Sequence, residues 1–119
     1  HDALFKEMVG KENFDRLGMD PATTAVRLLC FTPGNILPVH WDGFEGWGSK
    51  YGDSGKTPMR YIGFISPWSW GHYLQIHDNV ITNWEPGDMY RTPSGILHNS
   101  GNGGIVPKVT LTFTGLINE

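Results

Sequence analysis

The sequence has one cysteine, Cys30, in 119 residues, so no intrachain disulfide can form and redox compartment stays open. Charge is scarce, at 18% of residues, and no Lys/Arg cluster occurs. With a formal net charge of −3, an electrostatic footprint for nucleic acid is not supported. No apolar run is long enough to span a membrane, and no signal-peptide pattern is present. A soluble protein, with the cytoplasm favoured, is the expectation. What the chain does have is turn formers, 16 glycines and 8 prolines, beside 39% hydrophobic and 13% aromatic residues. That balance suits a turn-rich β protein with a modest core better than a helical bundle. The length suits one domain.

Residues 1–22 read as a helical segment: Asp2 can cap it, and Leu4, Phe5, Met8, Val9 and Leu17 have roughly helical spacing. Gly10 weakens it and Gly18 is a plausible stop. Residues 23–119 read as the β core. The stretch 24–31 predicts a buried strand that Pro33-Gly34 ends, and 36–41 a second. Further strands are expected at 60–65, 72–76, 80–84, 89–92, 96–98 and 106–114, with 99–104 a Gly/Asn loop. In the last strand Lys108, Thr110, Thr112 and Thr114 share one face, and Val109, Leu111 and Phe113 the other. About eight short strands at close spacing predict a sandwich or barrel. Residues 43–57 hold five glycines and no periodicity, and predict a long loop, either a plain connection or a lid. Phe44, Trp47 and Tyr51 favour the lid and a substrate held beneath it.

His40-Trp41-Asp42 is the chemically informative tripeptide. On an extended segment residues i and i+2 point to one face, so one imidazole and one carboxylate meet at one point. His98 would complete a 2-His-1-carboxylate set, which leaves open positions on a ferrous ion. Ten residues beyond His98 comes Lys108, with Thr110 on the same face, a pairing suited to an anionic group. His72 and His77 are weaker ligand candidates, although His72 lies where it can face the pocket in a substrate role. Arg60 and Arg91 read as surface charges, the five Trp mostly as core, and Asn99 as a turn residue or a donor beside His98.

With those residues in view, the chain resembles the 2-oxoglutarate- and Fe(II)-dependent oxygenases, and among them the prolyl 4-hydroxylase-like branch. Phe31-Thr32-Pro33-Gly34 followed by His40-Trp41-Asp42 is similar to that branch's Tyr-x-Pro-Gly and His-x-Asp run. Trp84-Glu85-Pro86-Gly87-Asp88 is similar to the turn before its distal-His strands, and Lys108 falls ten residues after His98 where that branch carries its cation. The resemblance covers roughly residues 24–116. It implies a double-stranded β-helix (a cupin-like jelly roll). It implies Fe(II) held by His40, Asp42 and His98, 2-oxoglutarate as co-substrate with its distal carboxylate on Lys108 and Thr110, and O2 as the oxidant. Hydroxylation of a substrate C–H, on a prolyl or other peptidyl residue, would follow. Phe31 stands where the family often has Tyr; a third-strand Tyr that some members use has Ser66-Pro67 in its place, and Tyr61 or Tyr73 would be its substitutes.

Two other readings use the same residues. A cupin-like metal or small-molecule binding module would need the metal ligands but not Lys108 and Thr110. A zinc hydrolase would need a general base near the metal, for which the sequence offers Glu45.

Overall fold

The computed structural model describes residues 2–41, 43 and 56–117. Asp42 and residues 44–55 lie outside the described residues, so the expected carboxylate ligand and most of the expected lid do too. So does the Asp2 side chain, and with it the expected cap.

The N-terminal segment is two helices, α1 (Asp2–Val9) and α2 (Lys11–Leu17). They break at Gly10, whose φ of 82° lies in the left-handed region that favours glycine. Gly18 ends α2 in the αL conformation, and the Met19 amide donates to Phe14 O at 3.0 Å, which satisfies a carbonyl the helix would otherwise leave open. A 3-10 turn at Pro21–Thr23 follows, with the Asp20 side chain accepting from the Ala22 amide.

Eight described strands form two four-stranded antiparallel sheets. The first sheet runs β1 (Ala25–Phe31), β8 (Lys108–Ile117), β3 (Thr57–Phe64), β6 (Met89–Pro93). The second runs β2 (Ile36–His40), β7 (His98–Asn102), β4 (His72–Ile76), β5 (Asn79–Ile81). No helix among the described residues is long and apolar enough to cross a membrane.

Each face of the first sheet has its own core. On the outer face Val26, Met59, Tyr61 and Phe113 pack with Phe14, which is fully buried and meets Phe113 edge-on at 6.0 Å. Between the sheets Ile62, Phe64, Leu74 and Trp84 form the second core, with Phe64 and Trp84 stacked at 3.7 Å. Register puts Phe31 opposite Lys108, Leu29 opposite Thr110 and Arg60 opposite Thr114, so the predicted Lys108/Thr110 face is the one turned between the sheets.

Several expectations change. The strand at 24–31 is an edge strand, largely exposed from Arg27 to Cys30, rather than buried. The stretch 99–104 is mostly strand: β7 continues to Asn102 because it pairs β2 on one side and β4 on the other. Among the four described tryptophans only Trp84 is core; Trp68 is half-buried, and Trp41 and Trp70 are exposed.

Candidate active site

His40 ends β2 and His98 begins β7, and the two are register partners. Their rings lie 4.1 Å apart, centroid to centroid, tilted by 60°. A shift of register between Leu37 and His40 brings the pair opposite each other. His40 Nδ1 is 2.7 Å from Pro38 O and His98 Nδ1 is 3.1 Å from Ile96 O. A carbonyl oxygen only accepts, so each Nδ1 carries the proton and each lone pair sits on Nε2. Metal-ligating histidines are commonly oriented this way. The donor set therefore fits a divalent first-row metal, with Asp42, two residues after His40, as the expected third ligand. Among the described residues no group of three His, Cys, Asp or Glu converges.

Lys108 is fully buried. Its Nζ donates to Ser100 Oγ and, at 3.1 Å, to Tyr73 O; Ser100 Oγ itself donates to Tyr73 O at 3.1 Å. The ammonium lies 4.3 Å over the Phe31 ring and 5.8 Å from that of Trp84, so aromatic faces supply part of its stabilisation. Burial pushes its pKa from the usual 10.5 to about 8. An ammonium has three donors, and Ser100 and Tyr73 engage two of them. Ser100 and His98 are two residues apart on β7, on one face, roughly 7 Å along the strand. The cation and the histidine pair are thus linked through the inner face of β7, with Thr110 buried two positions from Lys108 on β8.

His72 does face inward, as the sequence allowed, but in a structural capacity. Nδ1 accepts from the Ser69 amide at 3.3 Å, so Nε2 carries the proton and donates to Val106 O at 2.6 Å. Both nitrogens serve backbone groups, and the ring lies parallel to Trp84 at 6.3 Å. His77 is in an exposed turn beside Asp78 at 3.2 Å. Neither histidine joins the pair. Arg60 is not a plain surface charge: it is half-buried, inward-facing, and its Nε donates to Thr114 Oγ1 at 2.9 Å. Arg91 is exposed, and its Nε donates to the Tyr61 hydroxyl at 3.0 Å. Asn99 is a strand residue that donates to Gln75 Oε1 at 3.2 Å. Neither candidate phenol replaces the missing Tyr. Tyr61 lies under the helices with its hydroxyl on Leu17 O, and Tyr73 offers Lys108 its carbonyl while its ring covers Gly101.

The sequence reading missed Ser100, the Tyr73 carbonyl and the Phe31 ring as partners of Lys108. The signal that could have found Ser100 was the alternation His98, Ser100, Asn102, a polar inward face hidden in a stretch that otherwise reads as loop.

No protein-family model matches the chain, and no curated protein is similar enough to count as a relative. Solved structures do match. A cupin protein from Bacteroides fragilis is 17% identical, with a TM-score of 0.55 over 87% of this chain and 72% of that one. A predicted oxalate decarboxylase from Thermotoga maritima is 14% identical, with a TM-score of 0.57 over 91% and 75%. A point mutant of the salicylate 1,2-dioxygenase from Pseudoaminobacter salicylatoxidans is 13% identical, with a TM-score of 0.57 over 78% of this chain and 22% of that one. The likeness is one of fold: the chain is an all-β, cupin-type double-stranded β-helix.

Proposed function

We propose that the chain is a 2-oxoglutarate- and Fe(II)-dependent dioxygenase that hydroxylates a C–H bond of a small molecule or peptidyl residue, prolyl among them, in the cytoplasm. His40, Asp42 and His98 would hold the metal. When bound, Fe(II) supplies activation of O2, coupled to oxidative decarboxylation of the co-substrate. The protein's residues do the rest. The Pro38 and Ile96 carbonyls fix the tautomers that aim both Nε2 lone pairs. Lys108 and Thr110 would hold the distal carboxylate, with Ser100 and Tyr73 O orienting the ammonium. Phe31 and Trp84 keep that end dry, which strengthens a charge-assisted bond. The substrate would lie beneath the 43–57 segment.

One observation carries this reading: a fully buried lysine bonded to a serine two strand positions from a close histidine pair. A metal-binding fold has no need of a buried ammonium, and leaving one without an anion is costly. The alternative is a cupin-like binding module without turnover. It is favoured by the two contacts Lys108 already makes, which let it serve as an internal cross-link between the sheets.

Anaerobic titration of 2-oxoglutarate into the Fe(II) form, followed by the metal-to-ligand charge-transfer band, separates them. A charge-assisted hydrogen bond is worth roughly 1.5–3 kcal/mol. Lys108→Met should therefore weaken 2-oxoglutarate about 10- to 150-fold, at 1.4 kcal/mol per tenfold, and leave metal binding unchanged. Equal binding by parent and variant, or no succinate formed from 2-oxoglutarate in air, favours the binding module.

A further inference from the structure

The outer face of the first sheet is only partly covered. Val9, Phe14 and Leu17 of the helices pack over Val26, Tyr61 and Phe113, but the face continues past them to Leu111, Gly63 and Met89. Gly63 is opposite Leu111 on one side and Met89 on the other, and the Met89 thioether lies over it, filling the place a Cβ would take. A cavity of about 510 Å³ lies between the helices and this floor. It lies within the roughly 300–1,000 Å³ of small-molecule sites. It is on the opposite side of β3 and β8 from Lys108 and the histidine pair. Its walls are apolar, and Met8 and Met89 give it two flexible thioethers that adapt to irregular ligands.

Its charge is one-sided. Among the described lining residues Arg16 is the cation, and none is a carboxylate. Asn13, one turn earlier on α2, has its amide nitrogen on Val9 O at 2.6 Å. The far rim, at Gly87, belongs to the Glu85–Asp88 turn, where the Asp88 carboxylate accepts from the Glu85 amide. An anionic group is therefore repelled from that end and drawn to Arg16.

We propose that this groove binds a small amphiphile with an anionic head, the head on the Arg16 guanidinium and the apolar tail along Leu111 and the Met89 thioether that covers Gly63, toward Ile65. The recognition is charge at one end and apolar area along the rest, so a medium-chain carboxylate fits while an ammonium of the same tail does not.

The experiment uses the whole chain without added metal. Decanoate, 1-decanol and decylammonium are titrated by calorimetry, with methyl chemical shifts of Met8 and Met89 as a second readout. Decanoate should bind at one site, with decylammonium not detected. Arg16→Gln should weaken decanoate about tenfold, the loss of one charge-assisted bond, and leave 1-decanol unchanged. Met8→Glu, at an exposed helix position, should weaken decanoate and not the fold. Gly63→Leu should block all tails; if it unfolds the chain, the two helix variants still decide. Three outcomes overturn the assignment. One is no binding of decanoate up to roughly 1 mM, a floor for weak sites. Another is decanoate binding indifferent to Arg16. The third is a dimer by sedimentation that Met8→Glu dissolves, which gives the groove to a second copy of the chain.

Discussion

Lys108 concentrates the physics of the site in one residue. In the unfolded chain its ammonium keeps its proton to the usual 10.5; folded, burial lets it go near 8. Between those pH values the unfolded state binds more protons, so stability rises with pH through that window, and below about pH 8 the whole penalty is present. The shift corresponds to about 3 kcal/mol at 1.36 kcal/mol per pH unit. Lys108→Met should therefore be more stable than the parent at pH 7, since Ser100 Oγ still has Tyr73 O to donate to. The gap should close as pH rises toward about 10. Urea unfolding at about pH 7, 8.5 and 10 checks this, and a parent more stable than the variant at pH 7 contradicts it. The same ionisation governs ligand binding. An anion selects the protonated amine, so above about pH 8 its affinity should fall by up to tenfold per pH unit. Calorimetry of 2-oxoglutarate at pH 7 and pH 9 should show the weaker binding at pH 9, and no change would mean that Lys108 does not hold it.

At the scale of the element, the two faces of the first sheet differ in how they are filled, and the sequence foretold them unequally. The outer face is apolar and partly covered by α2, whose Phe14 is fully buried against it, so Phe14→Ala should cost about 3–5 kcal/mol. Leu4→Ala, at a side chain 54% exposed, should stay within about 0.5 kcal/mol; thermal and denaturant melts compare the two directly. Strand β8 was legible in the sequence because its alternation is strong and both faces are used. His40, His98, Lys108 and Thr110 were legible by spacing, and the structure brings the first two into contact and buries the others between the sheets. Strand β7 was not, since His98, Ser100 and Asn102 point polar groups inward and Gly101 adds no hydrophobic mark. Periodicity of apolar residues cannot report a strand whose buried face is polar. The exposure of β1 was equally hidden: a run of Leu28, Leu29 and Cys30 reads as core, and only the sheet order makes it an edge. Arg60 looked like surface because nothing local announces that Thr114, 54 residues on, accepts its Nε proton.

At the scale of the whole molecule, the histidine pair has a mechanical consequence. Among the described strands β2 is an edge strand, paired with β7, and its register with β7 shifts just before His40. Edge strands with one neighbour open at lower free energy than strands flanked on both sides. A metal held by His40 and His98 would pin the end of β2 to the centre of the second sheet, across the ladder that ties it to β7. Binding to the native state alone stabilises by about 2.7 kcal/mol at a hundredfold excess over Kd. Hydrogen exchange of the β2 amides should therefore slow on adding Fe(II) under anaerobic conditions. Amides of β8, already secured by β1 and β3, should change only with global stability. His98→Ala should abolish both the thermal shift and the protection of β2. His77→Ala, in an exposed turn away from the pair, should keep both. Protection of β2 that survives in His98→Ala would detach metal binding from this pair and remove the basis for an iron centre there.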